Sequence, residues 1–417
     1  MFDCTSSERE CLPVIIIGAG ISGLLLAQEL RKTNTPFRVF ERDKDFLTRG
    51  AGWGLTLHWS LPALRELLPT DLHAQLRDTY VDRAAVERGE TSTFPFFDLS
   101  TGERKGASPK LSEEARIRVT RERFRKLLAT GIDIEWGKVF KESHDTSESV
   151  AAVFEDGSTH QGRLIVGCDG GHSRVRRALL HQRYNNHPIP VRLLGFTLAV
   201  KAEQAGPIRA LDPFFLQGTA SVSNVFMYIS LLEAPQTPDC NSAYVYQVCI
   251  SWNTTKPPCD IPARSNSASA QQERIAIIRE VSKQWAEPFK TFVQLIPDTT
   301  NVQQLDISDF PPSAGVDAAG RVLLVGDACH AMSMYRGEGA NHAIVDVLEL
   351  KERVLPHLHR DKTLTAAVRK FEEGVIERTR PAVLASRKAC LDAHDWHNLT
   401  PDSPLLTRRQ MHLKFDG

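Results

Sequence analysis

The chain has 417 residues, of which 41% are hydrophobic, with 51 lysines and arginines against 51 aspartates and glutamates. That length exceeds one small core and suits two domains, or one domain with large insertions. Zero formal net charge leaves no electrostatic case for nucleic acid or an anionic membrane as partner, and no apolar run approaches the roughly 18 residues of an integral membrane span.

The first predicted element is the apolar, β-branched run Val14–Ile17, the pattern of a strand buried on both faces. Gly18-x-Gly20-x-x-Gly23 follows at once, and Leu24, Leu25, Ala27 and Leu30 continue as a helical stripe. A second strand, Phe37–Phe40, ends in Glu41, twenty-three residues after Gly18. Each part has a task in holding a dinucleotide. Gly18 permits the tight turn, Gly20 lets a pyrophosphate approach the backbone, and Gly23 lets helix and strand pack closely. The helix N-terminus then favours the diphosphate, and Glu41 can accept hydrogen bonds from a ribose. The glycines alone do not separate NAD from FAD.

Further along, Val150–Phe154 and the turn Asp156-Gly157 predict a hairpin. Leu164–Val166 predicts a buried strand ending in Gly167-Cys168-Asp169-Gly170, with Ser173, Arg174 and Arg176 close behind. The segments VRLLGFTLAV, NVFMYISLL and AYVYQVCISW between 191 and 252 predict an antiparallel sheet in a separate layer. Residues 257–272 read as a polar loop, and Ile275, Ile278, Val281, Trp285, Phe289 and Phe292 as one helical stripe. Val322–Val325 is again a buried strand, leading into Gly326-Asp327 and the turn Gly337-Glu338-Gly339 that opens a helix. Beyond 340 the chain reads as helical, broken at Pro356 and Pro381. Eight cysteines without a CxxC pair argue against a disulfide framework or a metal site, and for a reducing, cytoplasmic setting.

Taken together, GAGISG with Glu41, GCDGGHSRVR and VGDACHAMSMYRGEGAN resemble the three ordered motifs of the FAD-dependent aromatic-hydroxylase-type monooxygenases, which have the p-hydroxybenzoate hydroxylase fold. The wording around GWGLTLHWSLPALRELLP and VTRERFRKLL is similar to fungal secondary-metabolite members. The resemblance implies an α/β protein: a Rossmann-like FAD-binding domain, a mixed or antiparallel β-sheet substrate domain, and a C-terminal helical segment. The expected ranges are 1–80, 100–185 and 300–355 for the first, 81–99 and 186–299 for the second, and 356–417 for the third.

The resemblance also implies cofactor contacts from Gly18, Gly20, Gly23, Glu41, Arg42, Gly54, Arg121, Asp169, Asp327, Gly339, Ala340 and Asn341. Asp327 is expected on the ribityl chain, and the helix mouth at Gly339, Ala340 and Asn341 on the flavin N1–C2=O edge, where reduction places negative charge. The bland alternative for Arg121 is a solvated helix charge among its neighbours Arg123 and Arg125; for Asp169 it is strand termination and ion pairing. The implied reaction takes electrons from NADPH or NADH into FAD and passes one atom of O2, through a flavin C4a-hydroperoxide, to a small aromatic or polyunsaturated substrate. A same-fold oxidoreductase without oxygen insertion, or a redox-neutral or non-enzymatic member, stays open. No catalytic acid or base is identified; His58, Arg192 and Tyr335 are the candidates. Phe196, Phe214, Phe215, Phe226 and Tyr228 are available to line the substrate pocket. Ser333 and Met334 stand where the family often carries prolines, which predicts a less rigid loop whose Met334 carbonyl faces the site.

Overall fold

The computed structural model describes residues 12–48, 52–146, 148–180, 182–235, 243–258, 268–313 and 320–415. Four strands, β1 (Val14–Ile17), β2 (Phe37–Phe40), β3 (Leu164–Gly167) and β4 (Val322–Leu324), join Ile134–Glu135 in an all-parallel sheet ordered β4, β3, β1, β2, 134–135. Strand side chains alternate between the two faces. Val14 and Ile16 therefore enter a core with helix α1 (Ile21–Lys32), whereas Ile15 and Ile17 enter a second core with Phe140, Val150 and Phe154 of a three-stranded antiparallel layer. Both faces are covered, so the strand reads as one unbroken apolar run, and each fully buried Ile or Val contributes about 1.5–3 kcal/mol.

The register of this sheet sets the function. Ile17 pairs with Gly167 on one side and Phe40 on the other, and Gly167 pairs with Leu324. The glycine loop, Glu41, the Asp169 turn and the Asp327 turn thus leave one carboxyl-terminal sheet edge, although Gly18 and Asp327 stand 309 residues apart in the chain. Ligands of open α/β sheets bind at such an edge.

The second large layer is a seven-stranded sheet ordered 303–309, 187–201, 243–253, 226–233, 215–219, 96–98 and 104–106. Its strands are antiparallel except for Phe96–Asp98 against Phe215–Thr219. Residues 104–106 and 303–309 form its two edges, outside the ranges 81–99 and 186–299. One face carries Leu194, Phe196, Leu198, Val248 and Ile250 into a core with Ile275, Ile278, Phe289 and Phe292. A two-stranded ribbon, Gly54–Leu57 with Ile117–Thr120, docks on the opposite face. The Gly54 N–H donates to Gln247 Oε1 at 3.1 Å and Thr120 Oγ1 to the Leu232 carbonyl at 2.9 Å.

Helix α2 (Gly339–Arg353) packs on α1, and helix α3 (Asp361–Asp392) runs across both layers. Three local expectations change. Pro381 does not break its helix: it lies inside the continuous α3, which is anchored on either side of it by Arg378 to Asp346 and Arg387 to Asp309. The polar segment 257–272 is not loop throughout, because helix begins at Ala268; residues 259–267 lie outside the described ones. The stripe from Ile275 to Phe292 belongs to two helices, Ala268–Ser282 and Phe289–Gln294, whose apolar faces meet in the same core. No helix among the described residues is long and apolar enough to cross a membrane.

Candidate FAD site

The three glycines of the first loop differ in what surrounds them. Gly18 has φ +109°, and a Cβ there would lie 2.5 Å from the Cys168 carbonyl oxygen of the adjacent strand end. A Cβ at Gly23 would overlap the Gly18 carbonyl, so only glycine lets α1 pack this close. At Gly20 a Cβ would come no nearer than 4.0 Å to any atom beyond its chain neighbours, because that direction opens into a trough. The first intrahelical bond of α1 runs from Leu24 N–H to the Gly20 carbonyl, so the N–H groups of Ile21, Ser22 and Gly23 precede the helical ladder.

The trough is lined by Gly18, Gly20, Glu41, Arg42, Arg121, Arg125, Asp169, Gly170 and Arg174, among others. Glu41 is buried, and its Oε2 accepts the Ala19 N–H at 2.8 Å while Oε1 accepts the Asp43 N–H at 3.1 Å. It braces the glycine loop and, with about four lone-pair sites on a carboxylate, keeps capacity for ribose hydroxyls. Arg125, named only as a neighbour in the bland alternative for Arg121, is buried: its Nε donates to the Ala19 carbonyl at 2.8 Å and its guanidinium lies 4.3 Å over the Phe46 ring. Arg121 lies against Gly52, where a Cβ would be 3.5 Å from its Nη1. Its backbone N–H donates to the Trp53 carbonyl at 3.2 Å.

Asp169 caps the helix Arg174–Leu180, accepting from Ser173 Oγ at 2.5 Å and the Arg174 N–H at 2.6 Å. Burial pushes its carboxyl up against these hydrogen bonds. The two cations near it divide their work. Arg174 pairs with Glu155, whereas the buried Arg176 donates to the carbonyls of Gly171, Asp327 and Ala328 and to Asn186. Arg176 therefore ties the second motif to the third.

In the third motif, Gly326 adopts φ +63°, and a Cβ there would lie 2.6 Å from Ser22 Oγ of α1. Its N–H donates to Asp346 Oδ2 at 2.7 Å, which also pairs with His330 Nε2 at 2.8 Å, while Arg378 donates to Asp346 Oδ1 at 2.6 Å. Burial alone would raise the Asp346 carboxyl, but His330 and Arg378 outweigh it and hold it well below the usual range. Neither Asp346 nor Arg378 belongs to a motif read from the sequence; only their helical positions could have drawn notice.

Asp327 is reached by solvent although protein closes around it on most sides, as at the floor of a cleft. That crowding raises its carboxyl, opposed by His330, Arg121 and Arg176. Arg121 thus faces both ends of the edge, lining the trough and acting on Asp327. A Cβ on Gly339 would sit 3.6 Å from Asp327 Oδ1. In α2 the first ladder bond is His342 N–H to the Glu338 carbonyl, which leaves the N–H groups of Gly339, Ala340 and Asn341 at the mouth. The buried Asn341 side chain accepts from His58 N–H and Ser60 Oγ and donates to the carbonyls of Thr56 and Gly337, pinning the 54–60 segment to that mouth. Gly54 is filled from another side: a Cβ there would overlap the Arg118 guanidinium.

The structure does not bring the three acid–base candidates together. His58 stays beside the Asn341 pin, and burial with Arg409, Arg116 and Arg336 lowers it to about 3, so it is a neutral imidazole. Tyr335 is buried next to Phe226, its hydroxyl donating to Ser251 Oγ at 2.8 Å; burial pushes that hydroxyl well up. Ser251 Oγ in turn meets His394 Nε2 at 2.9 Å. Arg192 pairs with Asp306 across two strands, on the strand face that carries Leu194 rather than toward the ribbon. By the same parity Phe196 belongs to the helix-covered core, not to a pocket lining, whereas Phe215 and Tyr228 share the ribbon's face with Gln247. The third-motif loop is also firmer than expected: Ser333 Oγ bonds the Ser386 hydroxyl and carbonyl, and Ser386 Oγ donates back to the Ser333 carbonyl, all at 2.8 Å. The Met334 carbonyl accepts the Gly337 N–H at 2.9 Å rather than standing free.

FAD fits this arrangement on the structure's own terms. The open Cβ direction at Gly20 and the arginine-lined trough suit a diphosphate, Glu41 a ribose, and the second acid with a helix mouth a flavin end. Comparison with known proteins agrees. Residues 11–367 match the FAD-binding domain family. A probable FAD-dependent monooxygenase of Arthroderma benhamiae is 43% identical over 95% of both chains. The FAD-dependent monooxygenase dbaB of Emericella nidulans is 36% identical, covering 82% of this chain and 87% of its own. The structure of Klebsiella pneumoniae HpxO with FAD and uric acid shares the fold at a TM-score of 0.71 and 20% identity, over 93% of this chain and 90% of that one. With a family match across most of its length and relatives this similar, the chain belongs to the FAD-dependent monooxygenases of the aromatic-hydroxylase type.

Proposed function

We propose that this monooxygenase uses NAD(P)H and O2 to hydroxylate or epoxidise a small aromatic or polyunsaturated natural-product intermediate. The balance is substrate, O2, NAD(P)H and a proton giving oxygenated substrate, water and NAD(P)+. The observation that carries the reading is the convergence of Gly18, Glu41, Asp169, Asp327 and the mouth of α2 on one sheet edge. Bound FAD supplies electron storage and oxygen activation.

The chain's own residues bind and orient. Gly18, Gly20 and Gly23 shape the diphosphate turn, with Arg42 and Arg121 as counter-charges and Glu41 on the ribose. Asp169 fixes the second turn, and Asp327 holds the ribityl chain. Gly54 would meet the ring only through its backbone, since its side-chain direction is taken by Arg118, and the N–H groups of Gly339, Ala340 and Asn341 would face the ring edge that gains charge on reduction. A helix N-terminus stabilises such charge by about 0.3–1 kcal/mol, up to about 2 when partly buried. No second GxGxxG follows in the chain, so NAD(P)H docks without its own Rossmann domain.

The test is direct. Purified protein should be yellow, oxidise NADPH or NADH in air only when an acceptor is supplied, and place one atom of labelled O2 in the product. Turnover under strict anaerobiosis, or product free of label under labelled O2, would overturn the oxygenase reading.

A further inference from the structure

Behind the mouth of α2, charged and polar side chains gather in the interior. Asp346, Arg378, His330 and His342 are each more than nine-tenths buried. Asp346 lies in α2, about two turns below Gly339. One of its oxygens accepts from Arg378 at 2.6 Å, and the other meets both the Gly326 N–H and His330 Nε2. Arg378 also reaches His342 Nδ1 at 3.0 Å, and Glu349 Oε2 lies 3.4 Å from its Nη2. Glu349 in turn has Arg353 at 4.0 Å from its other oxygen.

This cluster is poorly arranged for stability. Trp59 Nε1, His330 Nδ1, His342 Nε2 and Arg378 Nε are buried with no hydrogen-bond partner among the described residues. They belong to one group, since the His342 ring is 4.7 Å from Trp59 and 6.0 Å from His330. Unpartnered buried polar atoms and buried ion pairs both cost free energy that well-packed apolar side chains would not. Helix α3 already docks through Leu364, Val368, Phe371 and Val375 in the first core, so its packing does not call for a charge at Arg378.

The connections lead instead to the cofactor edge. Asp346 holds the N–H of Gly326, the residue before Asp327, where the chain turns at φ +63°. His342 follows Asn341 in α2, and its ring packs on Trp59 of the segment that Asn341 pins. A guanidinium can only donate, so His342 Nδ1 accepts from Arg378 and the imidazole is neutral; burial, then Arg378, lowers it well below its ordinary value. Arg378 is thus the cation that answers the Asp346 carboxylate from α3. Left unanswered, a carboxylate in α2 would oppose negative charge at the mouth of that helix.

We infer that Asp346 and Arg378 are a charge-balanced positioning pair for the flavin: Asp346 fixes the Gly326-Asp327 turn through the Gly326 N–H, and Arg378 cancels its charge so that the mouth of α2 keeps its attraction for reduced flavin. The inference rests on FAD at this edge and adds residues that touch neither cofactor nor substrate. Their effect is on how readily the flavin accepts electrons, a property that apolar packing at the same positions would not set.

Dye-linked reductive titration of the FAD-loaded protein tests it, at pH 8 so that ordinary histidines stay neutral. Asp346→Asn keeps an acceptor for the Gly326 N–H and removes one negative charge. It should favour reduced flavin about tenfold, about 30 mV for a two-electron couple. The double variant Asp346→Asn/Arg378→Gln restores the balance and should return to within about twofold of wild type, as should Arg378→Lys. A merely structural role would leave the double variant at least as disturbed as the single one. Glu349→Gln, at the partly exposed rim of the cluster, should shift the potential the same way by a smaller amount, about twofold, and serves if Asp346→Asn fails to fold or sheds FAD. A wild-type potential in Asp346→Asn, a double variant no nearer wild type than the single, or, where it stands in, a wild-type potential in Glu349→Gln overturns the pairing. Labelled-oxygen transfer reports separately on the monooxygenase reading, so either claim can fail alone.

Discussion

Gly18 carries two constraints at once, a positive φ and a neighbour at 2.5 Å from any added Cβ. Gly18→Ala should therefore cost about 1–3 kcal/mol in backbone strain alone, with further loss from the displaced Cys168 carbonyl. The expected result is a lower urea midpoint together with colourless protein after desalting. His394 governs a different property. Burial lowers it from 6.5 to about 4, against the pull of the Cys390 carbonyl. The unfolded chain takes up this proton near pH 6.5 and the folded one only near pH 4, so stability is complete above 6.5 and falls as pH drops through that window. Urea titrations from pH 7 to 4 should show a steeper loss in the wild type than in His394→Gln, by about 1–3 kcal/mol.

At the scale of elements, the third-motif loop is held by a clasp rather than by proline. Ser386→Ala removes both hydroxyl contacts to Ser333 and should cost about 1–3 kcal/mol, read as a lower midpoint and faster release of flavin on dilution. Pro381 inside α3 lacks the N–H of its helical turn, which costs about 3 kcal/mol in an unsupported helix interior. Pro381→Ala should raise the thermal midpoint, and a fall would show that the proline supplies packing. These two positions mark what the sequence could show. Val14–Ile17 and the hairpin around Asp156-Gly157 were legible because their patterns are local. Ser333 read as the absence of proline, since its partner lies 53 residues away. Pro381 read as a break because tertiary anchors on either side of a proline leave no local signature.

For the whole molecule, the cofactor edge was legible and the substrate face was not. Three motifs with strands before them announced Gly18, Glu41, Asp169 and Asp327. Their meeting needed only the rule that such strands are neighbours and parallel. Asp346 and Arg118 carry no motif, and whether a buried arginine serves the fold or a ligand depends on partners that the sequence does not order. Because the edge gathers segments from both ends of the chain, bound FAD joins them. Removing it should lower stability by about 2.7 kcal/mol relative to protein held at a hundredfold excess over its dissociation constant. A midpoint that ignores added FAD would show that the segments meet without it.

Arg336 grips the Pro404 and Arg408 carbonyls and Thr407, and Glu338 grips the Gln410 backbone, so residues 404–410 are woven against the loop before α2. Everything they grip is synthesised earlier. A nascent chain still short of residue 404 carries Arg336 and Glu338 but none of the backbone that they hold. Premature termination there would uncover the buried Arg336–Glu338 pair and loosen the loop that leads into the mouth of α2.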